Sequence, residues 1–404
     1  MQTSQQPQQS RKPFTPAVRA PMWLLVLVTL SGTMAMHIFV PALPLAGTDL
    51  HASPAGMQQT ITYYVLGLAF GQLIYGPVSD TIGRRPTLLV GLALYLCASI
   101  VALFAPSLQW LLLARMAQAL GGAAGITLGR SIVRDTAAPG RVTSDLALLN
   151  LLTLVGPGLS PVVGSFLADQ FGWRAIYVFL VAIASLMVFF AWRMLPETNM
   201  DRRALAFGTI ARDYGQLLRN PRYLGFMLGG ACSTTALYPY LATSAYIVHG
   251  QLGLPVWQIG WFASVTIAGA SLGTMVTRRL SGQFRPEVFL NVGAGLSLSM
   301  AVLLLVVQLG GWLTAPLLIA ITFTLTVGAG LASPAALSRS ISVVPGLTGA
   351  AAGLYGCGQM AIGALGTKLV GYGSDPALAC ATVQILITGT ALGAYHVATR
   401  SKAA

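Results

Sequence analysis

The chain has 404 residues, of which 8% are charged and 55% are hydrophobic, and its formal net charge is +13. A soluble globular domain of this size needs a larger polar surface, so the composition excludes that class and indicates a membrane protein. All ten acidic residues lie in the breaks between long apolar segments or at the ends of those segments, as do nearly all lysines and arginines. A charge that remains inside an apolar segment is therefore expected to mark function.

Twelve segments have the length and apolar character of a membrane-crossing helix. They are 22–42, 57–76, 86–105, 109–131, 143–168, 174–194, 222–247, 257–278, 287–307, 312–332, 346–370 and 377–397. Glycine is abundant, with 45 residues, as expected where helices pack backbone to backbone in lipid. The sequence therefore predicts an all-α polytopic membrane protein with twelve transmembrane helices in two six-helix bundles.

The longest polar interruption, residues 196–221, has six apolar segments on either side. It divides the chain into a disordered cytoplasmic tail (1–20), an N-terminal bundle (21–195), a cytoplasmic linker (196–221), a C-terminal bundle (222–398) and a second cytoplasmic tail (399–404). Within the linker, residues 205–219 fit two interpretations, an amphipathic helix at the membrane surface and a plain tether. A six-plus-six division is typical of transporters built from two repeated halves around a central cavity.

The placement of the basic residues predicts the orientation. With the N-terminus assigned to the cytoplasm, 19 of the 23 lysines and arginines lie in or beside cytoplasmic segments. Arg115 and Arg130 belong to the fourth segment, and Arg174 and Lys368 remain for the outer side. This bias predicts a multi-pass protein of the inner (plasma) membrane with both termini in the cytoplasm. It also argues against a nucleic-acid partner.

The residues of an enzyme or a metal centre are not found in this sequence. All four cysteines sit inside apolar segments without metal-site spacing, and no Ser-His-Asp set or phosphate-binding glycine loop appears. The acidic residues needed for acid–base chemistry fall outside the apolar segments or at their ends. We therefore expect no enzymatic activity, no metal and no cofactor.

The connection between the second and third segments reads GPVSDTIGRRP. Its glycines and proline permit a tight turn, its aspartate can oppose a helix dipole, and its arginines can anchor at anionic headgroups. The candidate residues of this loop are Gly76, Asp80, Gly83, Arg84 and Arg85. The pattern resembles the signature loop of the major facilitator superfamily, although Thr81 stands where the family usually has a basic residue.

Two further motifs narrow the resemblance. Arg115 and Gln118 match the family's R-x-x-Q pattern in the fourth helix. The fifth helix carries a glycine- and proline-rich motif of the drug antiporters, formed by Gly156, Pro157, Pro161 and Gly164. Together with FVPALP at the end of the first helix, the chain resembles the bicyclomycin- and chloramphenicol-resistance (Bcr/CflA-like) branch of drug:proton antiporters.

The resemblance implies roles for these motifs. Asp80, Arg84 and Asp135 are expected to form a polar lock between the two halves that stabilises the outward-facing state; simple loop anchoring is the alternative. The fifth-helix motif is expected to kink that helix, allow close packing and control opening.

The charged and titratable groups left inside the membrane are the main site candidates. Thr29, Thr33 and His37 recur at i, i+4 and i+8, which places them on one face of the first helix. The resembled branch typically has an acidic residue where His37 stands. His37 either handles protons or substrate, or is a structurally hydrogen-bonded histidine. Arg115 either has a functional role or is a structural residue that donates hydrogen bonds to backbone carbonyls. Without an intramembrane carboxylate, the cavity should suit neutral or anionic compounds.

Further cavity candidates are Tyr64, Tyr238 and Gln359.

The sequence favours an exporter of a small amphipathic organic compound, a drug or a metabolite, working by alternating access and proton antiport. The alternative is a transporter or uncoupled facilitator for an anionic or neutral metabolite. The expected partners are the small-molecule substrate, protons and membrane lipids, and the expected state is a monomer.

Overall fold

The computed structural model describes residues 20–137, 141–199, 207–344 and 347–400. The predicted tails therefore lie almost entirely outside the described residues, as does the middle of the linker. The N-terminal half comprises α1 (Met22–Phe39), a 3-10 turn (Val40–Ala42), α2 (Leu43–Asp49), α3 (Pro54–Ile82), α4 (Arg84–Leu103), α5 (Leu108–Thr136), α6 (Val142–Phe171) and α7 (Arg174–Met194).

The short helix α8 (Phe207–Leu218) precedes the C-terminal half. That half comprises α9 (Pro221–Thr235), α10 (Leu237–Ala245), a π-helical turn (Tyr246–Gln251), α11 (Val256–Leu280), α12 (Pro286–Leu309), α13 (Ala315–Ser342), α14 (Thr348–Val370) and α15 (Pro376–Arg400). The prediction of an all-α polytopic membrane protein is confirmed.

Nine helices in the described ranges are long and apolar enough to cross a membrane. The other three predicted segments are helical as well, in α6, in α9 with α10, and in α14. The seventh predicted segment is interrupted at Ala236, between α9 and α10. Pro239 has no backbone N–H to donate to the carbonyl four residues earlier, so the helix cannot run unbroken through this point.

Close backbone contacts hold the N-terminal half together. A β-carbon added to Gly125 of α5 would overlap the Val28 carbonyl oxygen of α1, and one added to Gly67 of α3 would overlap the Met116 carbonyl oxygen of α5. Such small residues let helices approach closely where lipid supplies no hydrophobic drive for association. The packing of α1 and α3 on α5 depends on these glycines.

The two halves meet along two helix pairs, α3 with α14 and α6 with α11. The hydroxyls of Thr62 and Thr367 are 2.8 Å apart across the first pair, near the end of α3 that the charge bias assigns to the outer side. In the second pair, Gly260 lies directly against the backbone of Pro161. The halves are thus in contact around the outer part of the molecule.

In each half an ion pair joins equivalent helices at the cytoplasmic end, with the signs reversed. In the N-terminal half, Arg84 at the start of α4 pairs with Asp135 near the end of α5, with Nε and Oδ2 3.0 Å apart. In the C-terminal half, Glu287 at the start of α12 pairs with Arg339 near the end of α13. The shared layout supports a common plan for the two halves.

Asp375 organises the outer end of the C-terminal half. Its carboxylate caps α15 by accepting from Leu378 N (2.9 Å), and it also accepts from the side chains of Gln251 (2.9 Å) and Gln308 (2.7 Å). Burial favours the neutral acid, but these hydrogen bonds outweigh it and hold the pKa of Asp375 below its usual value. The carboxylate thereby ties together the ends of three membrane helices.

The linker segment that fitted two interpretations is helical at Phe207–Leu218 and packs on the C-terminal half. Leu217 is fully buried against Tyr223 and Ala351, and the Tyr223 hydroxyl donates to the Ala351 carbonyl at 2.8 Å. This part of the linker is therefore an anchored helix and not a plain tether.

We predict that Gly125→Ala destabilises the protein by about 1–3 kcal/mol, because the new methyl group forces α1 away from α5. The measurement is the thermal unfolding midpoint in detergent. Gly389→Ala in α15 is the matched control, since an added β-carbon there meets no atom within 4 Å. The control should be neutral or slightly stabilising, and equal midpoints for both variants would contradict the packing argument.

Candidate functional site

The polar stripe of α1 runs from its contact with α5 into the interior. The Thr29 hydroxyl donates to the carbonyls of Leu25 (2.6 Å) and Gly125 (3.3 Å) and is buried. Thr33, one turn further, is partly exposed, and His37 Nδ1 donates to the Thr33 carbonyl at 2.7 Å. Because a carbonyl can only accept, the neutral imidazole carries its hydrogen on Nδ1 and leaves Nε2 free to accept a proton.

Arg115 is fully buried in the N-terminal half. Its Nη1 donates to the Ala35 carbonyl of α1 at 2.8 Å and to Gln118 Oε1 at 2.9 Å. Gln118 in turn donates from Nε2 to the Ser99 hydroxyl of α4 at 2.8 Å. This chain of hydrogen bonds joins α1, α5 and α4 around one guanidinium.

Aromatic rings cover the remaining faces of the guanidinium. Its central carbon lies 4.1 Å from the ring centroid of Tyr64 and 5.2 Å from that of Phe39. Such cation–π contacts are worth about 2 kcal/mol when they are shielded from water. Tyr64 is fully buried and donates its hydroxyl to the Gly32 carbonyl at 2.8 Å, so in this structure it packs on Arg115 and does not form an open cavity wall.

The centre of the N-terminal half is positively charged and lacks a neutralising acid. Among the described residues, the Nε and Nη2 groups of Arg115 have no hydrogen-bond partner. His37 is two residues from Ala35, whose carbonyl accepts from Arg115. The carboxylates in the described ranges lie near helix ends, in connections or in α8: Asp49, Asp80, Asp135, Asp145, Asp169, Glu197, Asp213, Glu287 and Asp375. The structure thus brings His37, Arg115 and Gln118 together without an acid beside them.

The candidates from the C-terminal half lie apart from this cluster. Tyr238 of α10 is partly exposed, with its hydroxyl 3.9 Å from the sulfur of Met360 in α14. Gln359, also in α14, is partly exposed. A nearby polar pair escaped the sequence analysis: the Thr234 hydroxyl of α9 donates to that of Ser333 in α13 at 2.8 Å. Hydroxyl residues are common in apolar helices, so no sequence signal distinguishes these two.

The signature loop is held within the N-terminal half. Arg84 contacts Asp80 at 2.6 Å and Asp135 at 3.0 Å, which joins α3, α4 and α5. These ion pairs belong to one half, so in this structure they anchor the loop, which was the alternative interpretation. A lock between the halves in the outward-facing state stays a prediction. Gly76 lies in α3 facing open space, and Arg85 Nη2 donates to the Trp192 carbonyl at 2.8 Å.

Glu197, which the sequence analysis did not single out, caps α4. Its carboxylate accepts from the backbone N–H groups of Arg84 (2.9 Å) and Arg85 (3.2 Å). Gly83, at φ 117°, leaves room for it, because a β-carbon there would overlap Glu197 Oε2. The negative charge offsets the positive end of the helix dipole. Asn199 adds a hydrogen bond to the Asp80 carbonyl at 2.9 Å, so the chain after α7 is docked on the signature loop.

The glycine- and proline-rich motif lies in α6, which runs without a break from Val142 to Phe171 through Pro157 and Pro161. A β-carbon on Gly164 would overlap the Ile38 carbonyl oxygen of α1, and one on Gly156 would overlap Leu30. The expected close packing of this helix is therefore observed. Since α6 also contacts α11, the motif lies between the centre of the N-terminal half and the other half.

A bundle of long apolar helices in two halves, with charged and titratable groups buried at its centre, defines a helical membrane transporter. The chain belongs to the Major Facilitator Superfamily, whose model matches residues 25–367.

Comparisons with individual proteins agree. The chain is 25% identical over 351 residues to a bicyclomycin resistance protein homolog of Haemophilus influenzae, covering 86% of this chain and 87% of that protein. It is 29% identical over 338 residues to multidrug resistance protein D of Escherichia coli K12, covering 82% and 84%. The crystal structure of the nucleoside transporter NupG has the same fold, with a TM-score of 0.74, 13% identity and coverage of 93% and 98%. The relatives support the drug:proton antiporter branch in a multi-pass bacterial membrane protein.

We predict that Glu197→Ala lowers stability by about 0.5–2 kcal/mol, because two N–H groups and the positive end of α4 lose their partner. The thermal unfolding midpoint in detergent checks this. Glu197→Gln keeps an accepting oxygen but loses the charge, so its midpoint should fall between those of the wild type and the alanine variant. A midpoint unchanged in the alanine variant would show that the cap is dispensable.

Proposed function

We propose that the chain exports a small amphipathic organic compound across the bacterial inner membrane by alternating access, driven by proton antiport. The observation that carries this proposal is the titratable His37 beside the buried Arg115, in a helical interior without a carboxylate among its described residues. The names of the relatives, which refer to bicyclomycin and to multidrug resistance, support the export of drugs or drug-like metabolites.

His37 is the proton carrier in this proposal. Its Nδ1–H is fixed by the Thr33 carbonyl, so a proton arriving from the outer side would be taken up on Nε2. The imidazolium then carries a positive charge near that of Arg115. Repulsion between the two charges favours release of the proton when the site opens to the other side.

The contacts between the halves support a state that loads from the cytoplasm. The Thr62–Thr367 hydrogen bond and the contact of Gly260 with Pro161 close the halves together in the outer part. A cavity closed there is accessible from the cytoplasmic side, which is where an exporter takes up its substrate. In this orientation both termini lie in the cytoplasm, and one chain in its lipid environment is the working unit.

A transporter or uncoupled facilitator for an anionic or neutral metabolite is the second candidate. It is favoured by one departure from the antiporter branch, namely that His37 stands where the resembled proteins typically carry an acid. Transport that persists when uncouplers abolish the proton gradient would favour the facilitator.

We expect the chain, expressed in a host that lacks its own efflux pumps, to raise the inhibitory concentration of some neutral or anionic compounds but not of permanently cationic dyes. The reason is the uncompensated charge of Arg115, which repels cations from the interior. The measurement is growth inhibition across a compound panel, with and without the gene. Equal protection against cationic dyes would contradict the electrostatic argument, and no protection at all would count against export.

We expect His37→Ala to abolish substrate-induced proton movement in proteoliposomes, because the described carboxylates and the other histidines lie near helix ends, in connections or in α8. A pH-sensitive dye inside the vesicles provides the readout. His249→Ala is the matched control, since His249 is exposed at the outer end and its Nδ1 bonds the Leu254 carbonyl. Proton movement that survives in the His37 variant would remove His37 from the coupling step.

A further inference from the structure

Arg130 is a second arginine within α5, and it differs from Arg115 in having no partner. In the described part of the chain, its guanidinium has neither a hydrogen bond nor an ion pair. It lies six residues before the end of α5 at Thr136, about 9 Å along the helix axis. An unpaired charge at this depth is costly and is retained where it has a task.

The side chain of Arg130 points into the protein. Ala119 and Ala123 of the same helix pack against Gly67 and Gly71 of α3. Arg130 follows Ala119 and Ala123 by eleven and seven residues, so all three project from the same side of α5. Ile126, one turn before Arg130, packs on α1, so this side faces α1 and α3 and not the lipid.

Arg130 is also accessible to solvent. The residue is exposed, although it projects from the side of α5 that faces α1 and α3. An exposed side chain on that side reaches the space between these helices and not the lipid. Arg115 lies about 22 Å deeper along the same helix and is sealed by aromatic rings. Arg130 is thus the exposed arginine on the inner side of α5, and Arg134 lies one turn nearer the end of the helix.

We propose that Arg130 binds the anionic group of the transported compound as it enters from the cytoplasm, and that carboxylates and comparable organic anions are a substrate class of this protein. The proposal rests on the transport function proposed above. A guanidinium offers a planar fork of N–H donors that matches a carboxylate, and a low-dielectric cavity strengthens the attraction. The positive charge of Arg115 adds to the same potential, and Asp135, five residues further along α5, pairs with Arg84 and Arg134 and not with Arg130.

The test compares an organic anion with its neutral counterpart. The probes are 2-naphthoate and 2-naphthamide, which share their ring system and differ in charge. Each is titrated into the purified full-length protein in a neutral detergent, and binding is read from the rise in unfolding temperature, which requires no transport. We expect the wild type to bind the acid at least about tenfold more tightly than the amide, because only the acid can form a charge-assisted hydrogen bond with Arg130.

Three variants locate the effect. Arg130→Gln should weaken binding of the acid by about 10- to 100-fold and leave the amide unchanged, while Arg130→Lys should restore part of the affinity. Arg134→Gln is the matched control, because Arg134 is one turn further along α5 with a side chain 62% exposed. It should behave as the wild type. An unchanged unfolding temperature without ligand confirms that each variant is folded.

Several outcomes would overturn the proposal. They are equal affinity of the wild type for acid and amide, an equal loss of acid binding in the Arg130→Gln and Arg134→Gln variants, and a loss of both probes in Arg130→Gln. Competition of phosphatidylglycerol with the acid would assign Arg130 to lipid phosphate and also reject it. If acid binding depends on Arg130 but proteoliposomes transport neither probe, the transport function fails and the anion site stands.

Discussion

The buried guanidinium of Arg115 is the constraint around which the N-terminal half is arranged. Placing an arginine at the centre of a membrane helix costs about 2.5–3.5 kcal/mol even on translocon-insertion scales. Two charge-assisted hydrogen bonds, to Ala35 and Gln118, and two cation–π contacts, to Tyr64 and Phe39, offset a cost of that order. The close approach of α1 to α5 allows the Ala35 carbonyl to reach the guanidinium. The packing of α1 on α5 is therefore also what stabilises the buried charge of Arg115.

That arrangement leaves the charge itself in place. Neutral carbonyls, an amide and aromatic rings stabilise a cation without cancelling its field, whereas a carboxylate would do both. The interior between α1, α3 and α5 therefore keeps a positive potential, to which Arg130 adds at the cytoplasmic end. In the proposed mechanism His37 is the titratable group in this field, and its protonation changes the potential that a substrate meets. The lack of an acid among the described interior residues thus connects the proposed substrate class with the proposed proton transfer.

The sequence predicted the helical class, the two halves and the cluster of His37, Arg115 and Gln118. These features could be predicted because lipid excludes charged groups, so long apolar runs mark the membrane helices and a polar or charged residue inside them stands out. Contacts between distant helices were harder to predict. That Tyr64 covers Arg115 depends on how α3 crosses α5, which composition does not encode. That the ion pairs of Arg84 stay within one half could not be predicted either, because the sequence does not show which carboxylate a given arginine contacts. Glu197 was missed since its role exists only once the chain after α7 folds back on α4.

The reversed ion pairs at the cytoplasmic ends have a consequence for the order of assembly. In α12, Glu287 lies at the helix start, where its negative charge interacts favourably with the positive end of the helix dipole. In α4 the same place holds Arg84, which opposes the dipole, and the correction comes from Glu197, three residues beyond α7. The cap on the third membrane crossing is therefore complete only after the ribosome has made the sixth. The start of α12 carries its own acid and does not depend on a later segment for its cap.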